Sequence, residues 1–302
     1  MRQLDWLTDP HLDFLRPEAL DAFIERLAQG PGDGLLISGD IAESTTLINL
    51  LQRLDQEVSK PIWFVLGNHD YYRSSITRTR ERVRQWSQQS RHTRWLPSEG
   101  VVSLSPCTAL VGHGGWGDGG YGDFLASSVR LNDYRFIEEL RFHDLGKVRL
   151  HQRLLELGRD AAQSLRPALE EALRSHRKVI LLTHVPPFVE SCWHEGEAKL
   201  NEWTPHFTCQ AMGTMLLDVM AAHPARSLTV LCGHTHSSGT AQLRPNLTVH
   251  TGGAEYGRPA LERLEHALVI AQEDERPRAD LSLSAGRVDP CGGSVPDGVP
   301  AR

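Results

Sequence analysis

Five short stretches of this 302-residue chain set carboxylate, imidazole or amide groups close together: "DPH" at 9–11, "GD" at 39–40, "GNHD" at 67–70, "TH" at 183–184 and "GHTH" at 233–236. Each alone is weak, because Asp-x-His is frequent by chance, Gly-Asp is a common turn, and Asn and Asp cap helices. Taken in order, Asp9, His11, Asp40, Asn68, His184, His234 and His236 offer carboxylates, imidazoles and an amide oxygen but no thiolate. Such donors suit Mn, Fe, Zn or Ni. A carboxylate can bridge two cations, and this many side chains fit two divalent ions. In an extended segment the side chains of His234 and His236 emerge on one face, within reach of ions about 3.5–4 Å apart. The carboxylates only partly offset the charge of two such ions, so the spot is net positive and attracts an anionic ester.

What must position these groups is a set of strands, because each stretch directly follows an apolar run. "LDWL" (4–7) precedes Asp9, "LLIS" (35–38) precedes Asp40, "IWFVL" (62–66) precedes Asn68, "KVILLT" (178–183) precedes His184, and "LTVLC" (228–232) precedes His234. "TALVGH" (108–113) reads as a sixth strand. Amphipathic helical periods fill 17–29, 44–58 and 75–90, the first with Pro17 suitably placed in its opening turn. The alternation predicts a layered α/β domain, in which ligands gather at the carboxyl ends of strands. His184 thus ends its strand to deliver an imidazole to that edge, and Pro186-Pro187 turn the chain away.

The domain is predicted over 1–271, with a Gly-rich loop and helical insertion at 112–177 and a hairpin around Arg244-Pro245-Asn246. The tail 272–302 lacks aromatic residues and reads as disordered. A net charge of −6 is not a basic nucleic-acid footprint. No apolar run approaches the ~18 residues of a membrane span, and Asp5 and Asp9 stand where a signal peptide needs apolar residues. The expectation is a cytoplasmic protein without a membrane partner. The five cysteines form no CxxC pair, which suggests neither a disulfide framework nor a thiolate zinc site.

The ordered motifs resemble the calcineurin-like metallophosphoesterase superfamily, whose signature is DxH, GDxxD, GNH[DE], a strand-end His and GHxH. The resemblance spans residues 9 to 236 and implies a four-layer αββα sandwich. It also implies Asp9, His11, Asp40 and His236 on one ion and Asp40, Asn68, His184 and His234 on the other, Asp40 bridging. The implied reaction is hydrolysis of a phosphodiester or phosphomonoester of a small molecule or nucleotide by a metal-bridging hydroxide. A nuclease is the alternative, motivated by Arg78, Arg80, Arg82, Arg84, Arg91 and Arg94; a non-catalytic scaffold ranks below it.

One departure stands out: the second Asp of GDxxD is Glu43 here. Glu43 either orients His69, leaves that task to Asp70, or simply starts a helix, favoured there by the helix dipole. The Arg-Gly that follows this position in eukaryotic-type protein serine/threonine phosphatases is absent. His69, in a motif but outside the ligand set, is the candidate proton donor to the leaving oxygen. Substrate contacts are expected from the Gly-rich loop and the loop after His184. His113 could meet a phosphate or be a hydrogen-bonded strand end. Trp116, Tyr121, Trp193 and Trp203 could stack a nucleobase, although packing is favoured by their large burial energies.

Overall fold

Apolar side chains alternate between the two sides of nearly every strand, and that alternation decides the architecture. The computed structural model describes residues 3–194 and 196–262; the tail expected to be disordered lies outside them. The first half runs β1 (Leu4–Leu7), α1 (Pro17–Gln29), β2 (Gly34–Ile37), α2 (Ser44–Glu57), β3 (Ile62–Phe64), α3 (Ile76–Ser87) and β4 (Thr93–Trp95). Then come α4 (Leu96–Glu99), β5 (Val102–Ser103), β6 (Thr108–Gly112), α5 (Asp133–Phe136), α6 (Phe142–Ser175) and β7 (Lys178–Leu182). The chain continues through β8 (Trp193–His194), β9 (Glu197–Ala198), α7 (Thr204–Phe207), α8 (Gln210–Ala222) and β10 (Ser227–Cys232). It closes with β11 (Gly239–Arg244), β12 (Leu247–Thr251) and β13 (Leu261–Glu262).

Among the described residues two large sheets result, ordered β13-β1-β2-β3-β4 and β11-β12-β10-β7-β6-β5, beside the small β8-β9 pair. Strands β1 to β4 are mutually parallel, as are β6, β7, β10 and β12, while β13, β11 and β5 pair antiparallel at the edges. Leu4, Trp6, Leu36, Trp63 and Val65 of the first sheet pack against Leu110, Ile180, Leu182 and Leu231 of the second. The alternate residues turn outward. Leu7, Leu35 and Ile37 meet the apolar faces of α1 and α2, and Val179, Leu181, Leu228 and Val230 meet α6 and α8. Helix, sheet, sheet, helix is the four-layer sandwich that the motifs implied. Each fully buried Leu, Ile or Val there contributes roughly 1.5–3 kcal/mol. Trp6, fully buried, also donates from Nε1 to Ser38 Oγ at 3.0 Å, tying the central layer to the loop that carries Asp40.

The helices start where local chemistry dictates. Pro17 opens α1, and Ser75 caps α3 by accepting from the Arg78 amide at 3.1 Å. Two regions differ from the sequence reading. The helical stretch predicted as an insertion divides: α5 stands alone, α6 bends at Gly146 (φ 69°), and the later part of α6 is itself an outer layer, through Leu165, Leu169 and Leu173. The long loop after His184 carries the β8-β9 hairpin and α7, and leads into α8, which the sequence reading did not anticipate.

Candidate metal centre

Because β1, β2, β3, β7 and β10 point the same way within their sheets, the loops at their carboxyl ends converge at one end of the sandwich. The turns there are tight. Among the described residues the non-glycine positions with positive φ are Asp9, His11, Asp40, Arg73, His234 and His236, and all but Arg73 are candidate donors. Asp and His tolerate the left-handed region better than most residues, yet such backbone is costly and concentrates at functional sites. Glycine is required beside them: a Cβ on Gly67 would lie 2.2 Å from Asp40 Oδ1, and one on Gly233 would lie 2.0 Å from Asp9 Oδ2.

The donors fall into two groups that share Asp40. One ligand atom from each of Asp9, His11, Asp40 and His236 lies within 4.8 Å of the others, and so do those of Asp40, His184 and His234. His11 Nε2 stands 3.3 Å from His236 Nε2 and 3.8 Å from Asp40 Oδ2. His184 shows what the site needs. Its Nδ1 lies 2.9 Å from the Ser38 carbonyl, which can only accept, so Nδ1 carries the proton and Nε2 presents a lone pair. That lone pair faces Asn68 Oδ1 at 3.0 Å and Asp40 Oδ1 at 3.4 Å. The Asn68 amide is oriented in turn, because its Nδ2 donates to Asp133 Oδ1 at 2.9 Å, leaving Oδ1 turned toward His184. Acceptors converging on acceptors in a buried place fit a cation between them. Burial pushes the Asp40 carboxyl well above its ordinary range, with the Asp9 charge adding to the effect. Burial also holds His11 down to about 3 and His234 well below its usual value. Neutral imidazoles are the form that binds metal.

His69 edges this cluster. Its ring stacks on Tyr72 at 4.3 Å, its Nε2 is 4.0 Å from Asp40 Oδ2, and its side chain reaches the adjoining cleft. Burial, with His184 adding, holds it down to about 4. Neither acid named beside it touches it. Glu43 precedes α2 and accepts from Arg73 Nε at 2.6 Å. The Asp70 carboxylate accepts the amides of Ile41, Ala42 and Gly67 at 2.8–2.9 Å, clamping the Asp40 and Asn68 loops together. Glu43 thus stands at the start of α2 and the Asp70 carboxylate braces backbone, while the rings beside His69 are those of Tyr72 and His11. The Tyr72 hydroxyl donates at 2.6 Å to Asp133, the same carboxylate that holds Asn68.

A cleft of about 350 Å³ opens over the cluster. Its walls include some of the residues expected to meet substrate and not others. Burial explains His113, whose Nδ1 accepts the Gly115 amide at 3.0 Å, and Trp116, which packs on Tyr71; neither lines the cleft, nor does Tyr121. The Gly-rich loop is wedged inside the protein, where a Cβ on Gly114 would lie 2.0 Å from the Leu66 carbonyl oxygen. Trp193 and Trp203, from the loop after His184, do line the cleft. Tyr72, Phe207, Tyr256 and Asp133 join them, all four absent from the sequence reading. Tyr256 had an available signal: it follows β12, which runs parallel to β10 and ends at the same edge. Asp133, inside "NDY", had none.

None of the six arginines between 78 and 94 lines the cleft. Arg78 pairs with Glu138 and Arg84 with Glu81, while Arg80 bonds Tyr71, Arg82 the Ser44 carbonyl and Arg94 the Ser90 carbonyl. Among the described residues no helix is long and apolar enough to cross a membrane.

The two sheets, the order of the motifs and the buried donor cluster fit a phosphoesterase scaffold with a candidate metal centre, and a family comparison bears on that directly. The model for calcineurin-like phosphoesterases matches residues 4–238, and the chain belongs to that family. Among solved structures it resembles a phosphopantetheinyl hydrolase from Mycobacterium tuberculosis, with TM-score 0.62 and 14% identity over 84% of this chain and 90% of that one. It also resembles a dimetal phosphatase from Danio rerio, with TM-score 0.50 and 16% identity over 83% and 87%. At these identities the likeness concerns the fold. No curated protein matches the chain.

Proposed function

We propose that the chain hydrolyses phosphoesters of small molecules with two divalent ions of the Mn, Fe, Zn or Ni class. Asp9, His11, Asp40 and His236 would hold one, and Asp40, Asn68, His184 and His234 the other. The observation that carries this reading is the inward-facing set of acceptors around Asp40, with His184 fixed in the tautomer a cation requires. Bound there, the ions supply Lewis-acid stabilisation of phosphoryl oxygens and a water of lowered pKa. The chain's own residues do the rest. Asp40 links the two positions, Asp133 aims Asn68, and His69 at the cleft edge stands where a leaving oxygen would receive a proton. That none of the arginines motivating the nuclease alternative lines the cleft supports the small-molecule reading over it.

The test is metal analysis of protein loaded with each candidate ion, with hydrolysis of bis(p-nitrophenyl) phosphate measured on the same samples. Two ions per chain with turnover are expected, together with loss of both ions in Asp40→Asn and of one in His236→Ala. A wild-type chain that retains at most one ion under every loading, or turns over no ester, would overturn the reading.

A further inference from the structure

The cleft walls carry a pattern that the metal chemistry does not use. Among the described residues no lysine or arginine lines them, whereas Tyr72, Trp193, Trp203, Phe207 and Tyr256 do. Phosphate recognition ordinarily recruits arginine or lysine, each extra negative charge calling for a further donor. Here the non-metal side of the cleft offers Asp133 and neutral groups, a poor seat for a dianion or a polyanion.

The aromatic wall is built rather than incidental. Asn201 Oδ1 accepts the amides of Trp203 at 2.9 Å and Thr204 at 3.1 Å, a turn that projects the indole outward. Trp203 meets Phe207 edge-on at 5.9 Å, and Phe207 stacks on His234 at 4.5 Å, so the wall reaches the candidate metal donors. Trp203 is nonetheless 43% exposed. A large ring left in water at a cleft mouth gains by being covered. The cleft's size suits one arm of a nucleotide-sized molecule.

We infer that the cleft takes a phosphodiester bearing a single negative charge, one arm of which is a planar aromatic group seated on Trp203 and Phe207. This rests on the phosphoesterase reading above and adds to it the charge and shape of the substrate. The ions hold the phosphoryl group, and the wall selects the arm.

Metal-loaded enzyme would be compared on bis(p-nitrophenyl) phosphate and methyl p-nitrophenyl phosphate, which share a leaving group and differ in the second arm. The wild-type ratio of kcat/KM, aryl over methyl, should fall roughly 5- to 150-fold in Trp203→Leu through KM, the range of one lost stacking contact. Trp203→Tyr, which keeps a flat ring, should restore much of the ratio, and Leu200→Ala, exposed and outside the cleft, should leave it unchanged. KM for the dianion p-nitrophenyl phosphate should exceed that for the aryl diester. An unchanged ratio in Trp203→Leu would overturn the aromatic seat, and a monoester KM at or below the diester value would overturn the charge preference. Absence of turnover on every ester would instead mark failure of the phosphoesterase reading itself.

Discussion

His69 presents the sharpest question at the scale of single residues. Its place at the cleft edge suits a proton donor, while burial favours the neutral imidazole, which has no proton to spare as an acid. Leaving-group chemistry separates the two roles. In His69→Asn, esters with poor, alkoxide-like leaving groups should slow about 10²–10⁴-fold if His69 donates the proton. Nitrophenyl esters should slow much less, since nitrophenolate departs unaided. Metal content measured in the same samples should stay at the wild-type value. Equal slowing across leaving groups would make His69 an electrostatic partner of the phosphoryl group. Glu43→Gln, which loosens only the Arg73 pair, should show no such slope.

At the scale of elements, α5 reaches from the middle of the chain to hold a donor delivered by β3. Asp133 is an acceptor only, so it compels Asn68 to offer its NH₂ outward and its oxygen inward. In Asp133→Ala that compulsion disappears, and affinity for one of the two ions should fall about 10–100-fold, the usual effect of losing a partner that orients a ligand. Asp133→Asn, which keeps an acceptor oxygen, should bind that ion nearly as tightly as wild type. Titration calorimetry of the ion-stripped variants measures this without reference to turnover. Equal losses of both ions would point to general destabilisation.

The same contrast marks what could be read from the chain. The strands that deliver donors were legible because each is a short apolar run ending in a polar motif, and α1 and α2 because their apolar faces recur with helical period. Helix α8, "QAMGTMLLDVMAA", is apolar on most sides and buried against α6 and the second sheet, so it lacks the periodic face that betrays a surface helix. Strands β4 and β5 are three and two residues long, below any pattern. The cleft walls were legible only in part, for a different reason. Glycines in 112–123 read as a loop expected to contact substrate, yet several of them let backbones approach, a property of neighbours distant in sequence.

For the whole molecule, the candidate centre draws on both sheets: Asp9, His11, Asp40 and Asn68 come from the first, and His184, His234 and His236 from the second. Ions bound there would pin the sheets together at one end, adding to the apolar layer between them. Saturation at about 100 times the dissociation constant contributes about 2.7 kcal/mol per independent site. Stripping the ions with a chelator should therefore lower Tm by several degrees, and restoring them should reverse the shift. Calorimetry with and without metal checks this; an unchanged Tm in protein shown to bind two ions would mean that the unfolded chain binds them as tightly as the folded one.

The shared layer between the sheets also bears on how the chain is made. During synthesis strands β1 to β4 and the helices between them are complete well before β7 and β10 exist, and the stretch from Asn68 to His184 takes on the order of 10 s to emerge. For most of that interval Leu4, Trp6, Leu36, Trp63 and Val65 form an apolar face whose partners Ile180, Leu182 and Leu231 have not yet been translated. The nascent protein is thus at its stickiest midway along its own message. A ribosome stalled there would release a half-sandwich prone to aggregate, bearing some of the candidate metal donors and none of the imidazoles that complete the set.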